Sequence, residues 1–286
     1  MVEFAVDVDG EALSFHLDEG EIVAGDNSVL LQQDDNLAEG QPWDEVGYVV
    51  APFLPVAQWR DVLRGFERFI AELVTEAIGA PPQDFRMADY HRWITSDELH
   101  RRVIEARRSD LPVNMCFPAA QLPGGAEPVT QRIAEICGKA VAPMNATLPA
   151  TFSIRIVRPR SADHSPLHRD AWIGRLRHGI NIYLPLAGSD ERSSLCVMPG
   201  SHRWPESHVR RSSGPAVIDG RPYTVPAVVD TKYGMRAVRP NPGKNEVLVF
   251  SPYVIHGAGA NLNPDATRIS LEMRFWRQNN LDDVAR

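Results

Sequence analysis

Between Val56 and Ile78 the apolar residues Trp59, Val62, Leu63, Phe66, Phe69, Ile70, Leu73 and Val74 recur at three- and four-residue steps, which gathers them on one face of an amphipathic helix. Gly79 and Pro81 end it. Thr95 and Glu98 have the form of a capping box, so a second helix is expected from Thr95 through His100 and Ile104 towards Arg108. A third is expected to begin at Pro128 and to carry Ile133, Ile136, Cys137 and Val141 inward as far as Pro143. From Thr147 onward the spacing changes to alternation, and short strands are expected at Phe152–Val157, Gly179–Leu186, Leu195–Met198, Glu246–Phe250 and Thr267–Trp276. Ahead of the helices, Val2 to Val8 alternates, Asp9-Gly10 supplies a two-residue turn, and Ala12 to Leu17 pairs back as a hairpin. Glu21 to Leu31 reads as a further strand, and Gln32–Asp44, Asn114–Pro118 and Leu122–Gly125 as loops.

Helices first and strands afterwards give an α+β class in which the strands close as a double-stranded β-helix, the cupin-like jelly roll. Residues 1–44 form an acidic N-terminal β-hairpin extension in this reading, and residues 45–286 the main domain. The stretch from 203 to 243, with six prolines and little periodicity, exceeds an ordinary connection and is expected to be a lid or insertion at the barrel mouth.

Charge sharpens this picture. The net charge of -7 is uneven, because the first 50 residues hold thirteen Asp or Glu and no Lys or Arg, which leaves the rest at +6 by subtraction. No Lys/Arg run interleaved with aromatics marks a nucleic-acid surface. The span from Arg203 to Lys244 has eight basic and three acidic residues, a local excess of +5, and a basic rim there would draw in polar or anionic small molecules. The alternative is that these cations pair with the acidic first 50 residues. Cys116, Cys137 and Cys196 stand far apart in no CxxC spacing, so a reducing, cytoplasmic setting is expected. Neither a leader nor a membrane span is expected, since no stretch approaches the roughly 20 apolar residues a span requires.

The candidate chemistry starts at Ser165-Pro166-Leu167-His168-Arg169-Asp170, which reads as a strand end. His168 and Asp170, two residues apart, share a face there. With one distant histidine, for which His256 is the candidate and His202 the reserve, they make the 2-His-1-carboxylate triad that holds Fe(II) and leaves positions open. Twelve residues beyond His256, the strand at Thr267–Trp276 carries Arg268, Ser270, Glu272 and Arg274 on one face and Ile269, Leu271, Met273 and Phe275 on the other. Asn181 and Tyr183 share a face of their own strand, as do Ser153 and Arg155. His164, His178, His202 and His208 read as isolated loop histidines.

Together these positions resemble the iron(II)- and 2-oxoglutarate-dependent dioxygenases. Asn181-Ile182-Tyr183-Leu184-Pro185-Leu186 followed by Pro199-Gly200-Ser201-His202, with Glu45-Val46-Gly47-Tyr48-Val49-Val50 upstream, narrows the resemblance to the phytanoyl-CoA dioxygenase family over roughly residues 45 to 277. The resemblance implies Fe(II) on His168, Asp170 and His256, with 2-oxoglutarate as cosubstrate and O2 as oxidant. It also implies a jelly roll buttressed by the N-terminal helices. Arg268 would grip the far carboxylate of the oxoacid, helped by Ser270, with Asn181 and Tyr183 as further contacts. Arg274 would either reach the 1-carboxylate or make a salt bridge with Glu272 or another acid. The expected reaction is hydroxylation or another oxidation of an unactivated C–H bond in a small molecule, releasing succinate and CO2. Asp170 argues against halogenation, which in related enzymes uses a small residue there. Two other readings remain open on these residues, a cupin-like isomerase or epimerase and a non-catalytic metal-binding module. The substrate's identity and the oligomeric state are not legible.

Overall fold

In the computed structural model of the chain, residues 2–27, 37–106, 116–118, 122, 124–144, 151–161 and 163–277 are described. The strands are β1 (Val2–Val8), β2 (Glu11–Glu19), β3 (Ile22–Ala24), β4 (Tyr48–Pro52), β5 (Cys116–Pro118), β6 (Val141–Pro143), β7 (Thr151–Val157), β8 (Gly179–Ala187), β9 (Cys196–Val197) and β10 (Val209–Ser212). They continue with β11 (Val217–Ile218), β12 (Arg221–Pro222), β13 (Val228–Thr231), β14 (Arg236–Ala237), β15 (Glu246–Phe250), β16 (His256–Gly257) and β17 (Arg268–Arg277). The helices are α1 (Val56–Ile78), α2 (Tyr90–Trp93), α3 (Asp97–Glu105) and α4 (Glu127–Cys137).

The largest sheet runs β4-β15-β8-β17-β7-β5, with β6 paired to the end of β17, and all its pairings are antiparallel. Alternation sorts its two faces. Ile180, Ile182 and Leu184 of β8 and Ile269, Leu271, Met273 and Phe275 of β17 join one buried cluster with Phe66, Ile70, Leu73 and Val74 of α1 and Ile133 of α4. Each such fully buried side chain contributes about 1.5–3 kcal/mol. The opposite face carries Asn181, Tyr183 and the polar row of β17. Register sets these residues in rows: Phe250, Asn181 and Arg274 in one, and Leu248, Tyr183, Glu272 and Ser153 in the next.

Several local expectations are corrected. The α3 cap is Ser96, whose Oγ accepts from the Leu99 N–H at 3.1 Å, and not Thr95; Glu98 pairs with Arg102 instead. The residue that caps is the one in extended conformation just before the first turn, and Ser96 holds that place. Gly138, at φ 61, ends α4 at Cys137, so Val141 belongs to β6 and pairs with Arg277. Cys116–Pro118 is a strand on β7 and not a loop. Of Glu21 to Leu31 only Ile22–Ala24 is a strand among the described residues; residues 28–36, which include part of the acidic loop, lie outside them.

The N-terminal segment and the stretch from 203 to 243 are hydrogen-bonded together. β1 runs parallel to β14, β2 pairs with β11, and β3 pairs with β10. Val6 and Val8 share a cluster with Val209, Val228, Ala237 and Leu167, and Leu17 another with Ile218 and Val229. No helix among the described residues is long and apolar enough to cross a membrane.

Candidate metal centre

His168 and Asp170 do not lie in a strand of the large sheet. His168 forms an isolated bridge with His256, each backbone N–H donating to the other's carbonyl at 2.9 Å, and Asp170 opens a short 3-10 turn. Arg169 between them is extended, so the side chains at i and i+2 still emerge on one side. His256 belongs to β16, which pairs with β9. Gly257, at φ 128, lets β16 approach the Pro166 carbonyl; a Cβ there would overlap that oxygen.

That approach orients the site. His168 Nδ1–H donates to the Pro166 carbonyl at 2.7 Å and His256 Nδ1–H to the Val254 carbonyl at 3.0 Å. A carbonyl only accepts, so both rings carry the proton on Nδ1 and present the Nε2 lone pair. Asp170 Oδ1 lies 3.4 Å from His168 Nε2 and 3.9 Å from His256 Nε2, and one ligand atom from each residue falls within 4.8 Å of the others. Asp170 Oδ2 faces away, accepting from Arg274 Nε at 2.9 Å with Arg274 Nη2 at 2.8 Å. Burial alone would raise the Asp170 carboxyl, but Arg274 and the two histidines outweigh it and hold the group well below the usual carboxylate range. Burial, with His168 beside it, pushes His256 down to about 4, which keeps the ring neutral. A neutral imidazole at His256 and an ionised carboxylate at Asp170 suit the binding of a metal ion.

The pocket that opens on these residues is also lined by Asn181, Tyr183, Arg268 and Arg274. Arg268 is buried; it donates from Nη1 to the Ser193 carbonyl at 2.7 Å, its Cζ lies 5.9 Å from the centre of the Tyr183 ring, and among the described residues it has no ion pair. A Cβ on Gly259 would stand 2.6 Å from that Nη1, so the bare glycine makes room for the guanidinium. Tyr183 shares its hydroxyl with Ser189 Oγ at 2.9 Å. Ser270 is buried beside the pocket without being part of its wall. Among the described residues, Arg268 Nε, Ser270 Oγ, Asn181 Nδ2 and His164 Nδ1 are buried with no hydrogen-bond partner. So many orphaned groups around one cavity fit a polar, anionic ligand better than an apolar one.

Of the two readings open for Arg274, its bond to Asp170 is the salt bridge with an acid other than Glu272, while Glu272 pairs with Arg155 by two bonds of 3.2 Å. The isolated histidines are placed differently from one another. His164 is no surface residue: it is buried, lines the pocket and packs against Phe15 of β2 at 6.0 Å between ring centroids. Burial, then Arg268, pushes it down to about 4. His202 lies outside the pocket with Nε2 2.7 Å from the Asp44 carbonyl oxygen, and His208 meets the Tyr233 hydroxyl at 2.9 Å. Arg169, to which the sequence assigns no role, is wholly buried; it bonds Glu206 and the Ser201 carbonyl, at 2.6 Å for the latter, and Glu206 accepts from Trp172 Nε1 at 2.9 Å.

Compared with known proteins, the chain matches the family model described as phytanoyl-CoA dioxygenase (PhyH) over residues 43–270, well over half its length. It is similar to the crystal structure of EctD from S. alaskensis with 2-oxoglutarate and 5-hydroxyectoine, at 13% identity and a TM-score of 0.52, over 93% of this chain and 87% of that one. EctD from S. alaskensis with bound Fe gives 12% identity and a TM-score of 0.52, over 92% and 86% of the two chains. At such identities the likeness is one of fold. No curated protein matches the chain in sequence.

Proposed function

The chain belongs to the phytanoyl-CoA dioxygenase family, and from that premise we propose that it is a non-haem iron(II)- and 2-oxoglutarate-dependent oxygenase that hydroxylates or otherwise oxidises an unactivated C–H bond of a small polar metabolite. One observation carries the reading. Two histidines locked with Nε2 outward and one carboxylate oxygen converge in the pocket that also holds a buried arginine with no carboxylate partner among the described residues.

His168, Asp170 and His256 would hold the iron, which when bound would supply O2 activation with 2-oxoglutarate as the co-reductant, released as succinate and CO2. The two backbone carbonyls fix the imidazole tautomers before any metal arrives, as partners of metal-bound histidines do. Arg274 occupies Asp170 Oδ2 and so leaves Oδ1 to the metal, which makes it a holder of the ligand and not a contact of the oxoacid. Arg268 pairs its fork with the far carboxylate, a role for which a planar guanidinium suits better than an ammonium. Asn181 supplies a further donor, and Tyr183 backs the guanidinium. Leu195 and Phe250 line the same pocket and keep water from the reacting centre.

In this reading the strands make a double-stranded β-helix whose apolar face is buttressed by α1 and α4. Residues 45–286 are the oxygenase domain, residues 1–44 its acidic hairpin extension, and residues 203–243 a lid. Free, buried Cys137 and Cys196 support a reducing, cytoplasmic setting. An isomerase that works without an oxoacid has no use for an arginine at position 268 that, among the described residues, lacks a counter-ion. The test is anaerobic addition of Fe(II) and 2-oxoglutarate. A weak visible charge-transfer band is expected, followed in air by succinate release. Absence of the band at saturating Fe(II) overturns the assignment.

A further inference from the structure

The pocket around the three metal-binding candidates is narrow, about 50 Å³, whereas the groove beside it measures about 570 Å³. Arg155 and Glu272 line both and form the wall they share. The groove runs between α3, the connection from Arg158 to Asp163, and Arg221-Pro222 of β12. Given the oxygenase reading, on which this inference rests, the groove offers the bulk of a substrate room directly beside the metal pocket. We propose that this groove is the substrate's seat and that Arg155 and Arg221 receive an oxyanion of the substrate, a carboxylate or a phosphate.

The sign of the ligand follows from which charges are already answered. Arg158 donates to Asp163 at 2.7 and 2.9 Å and to Asp97 at 2.6 Å, so both acids are satisfied by one buried guanidinium. Arg101 is answered by Glu105 at 2.8 Å. Glu272 is held by Arg155 and lies in the field of Arg274 as well, so sharing Arg155 with a ligand does not leave that acid alone. Two cations remain under-used. Among the described residues Arg155 makes two long side-chain bonds, both to Glu272, and 41% of its side chain is accessible although it lies in the wall between two cavities. Arg221 is 42% accessible, with its nearest carboxylates, on Asp97 and Asp163, at 3.6 and 3.8 Å, beyond hydrogen-bonding distance. An oxyanion bridging these two guanidiniums breaks no short bond and gains charge-assisted ones. Because Arg221 lies in the stretch tied to the N-terminal hairpin, the same contact fastens that stretch over the bound substrate.

Titration calorimetry of the full-length protein with inorganic phosphate, and in a second arm with acetate, tests the assignment. Saturable binding of at least one anion is expected, the tighter of the two naming the group the substrate carries. Binding should weaken about tenfold or more in Arg155→Gln and in Arg221→Ala, the loss of one charge-assisted contact. It should persist in His256→Ala, which alters the metal pocket alone. Arg221 is exposed and its replacement strands no buried group, so that variant reports even where Arg155→Gln disturbs the fold. An affinity indifferent to Arg221→Ala, binding abolished by His256→Ala, or no saturable binding of either anion would each overturn the proposal. The charge-transfer band separates the two readings: a band without anion binding removes the groove and keeps the oxygenase, and anion binding without a band does the reverse.

Discussion

Replacing Arg268 by methionine removes a buried cation of the pocket that, among the described residues, has no anion. The guanidinium is 2% exposed, gives one bond to the Ser193 carbonyl and leaves Nε without a partner. Burial, ahead of every neighbouring charge, pulls its pKa down, the mark of a cation whose hydration has not been replaced. In the ligand-free protein two effects of the substitution oppose each other: an uncompensated charge is relieved, and the Ser193 carbonyl loses its donor at about 1–3 kcal/mol. Stability without 2-oxoglutarate should therefore change little.

With 2-oxoglutarate the outcome is one-sided. A charge-assisted contact is worth about 1.5–3 kcal/mol, which is roughly ten- to a hundredfold or more in affinity. At a concentration a hundred times the wild-type dissociation constant, the wild type gains about 2.7 kcal/mol of stability and a hundredfold weaker variant about 0.4 kcal/mol. Thermal unfolding under nitrogen, with Fe(II) present and with or without 2-oxoglutarate, reads this directly, and titration of the charge-transfer band gives the affinity independently. Arg268→Lys should fall between, keeping the charge and losing the fork. If Arg268→Met keeps the wild-type 2-oxoglutarate affinity within about twofold while substrate saturation suffers, Arg268 belongs to the substrate and the reasoning from its missing counter-ion fails.

Three further outcomes are expected. Arg169→Met strands the buried Glu206 carboxylate and should cost about 3–5 kcal/mol in urea unfolding, much of it recovered by adding Glu206→Gln; a surface-like effect would contradict the burial. His100 and His164 are neutral in the folded protein, pushed by burial to about 4 from an ordinary value of 6.5, so the unfolded chain binds more protons between those values. Stability is then largest above pH 6.5 and falls as pH drops towards 4, on the order of 3 kcal/mol for each histidine; a flat profile over that window would refute both shifts. Substrate half-saturation should rise between about 20 and 300 mM salt, where the screening length shrinks severalfold, because among the described residues only Arg203 of the basic stretch forms an ion pair with the acidic first 50 residues; salt-independent kinetics would reject steering.

What the sequence made legible was whatever rests on local spacing. β17 alternates cleanly because Ile269, Leu271, Met273 and Phe275 pack beneath the sheet while Arg268, Glu272 and Arg274 line the cavity above it. α1 was equally plain, since eight of its residues are buried on one stripe and Gly79 closes it at φ 78. Errors arose where two neighbours could serve one role, as Thr95 and Ser96 could as caps, or where apolar spacing ran on past a glycine, as it does from Cys137 to Val141. The stretch from 203 to 243 showed no period because its strands are two to four residues long and several of their partners lie near the N-terminus. His164 and Arg169 were hidden for the same reason. Their burial is decided by Phe15 and Glu206, each remote in sequence, and no local pattern announces a buried ionisable group.

The charges on the cavity face of the sheet form an alternating series, and that series ties the metal ligand to the groove. Asp170 is held by Arg274; Arg274 lies in the field of Glu272; Glu272 is bonded by Arg155. Two residues on β17 and one on β7 thus space opposite charges across neighbouring strands, which the pleat permits because residues 272 and 274 share a face. Each member is only partly answered by the next, since Arg155 reaches Glu272 through long bonds and Arg274 divides its field between two carboxylates. An oxyanion on Arg155 would therefore meet a guanidinium whose present partner, Glu272, also lies in the field of Arg274.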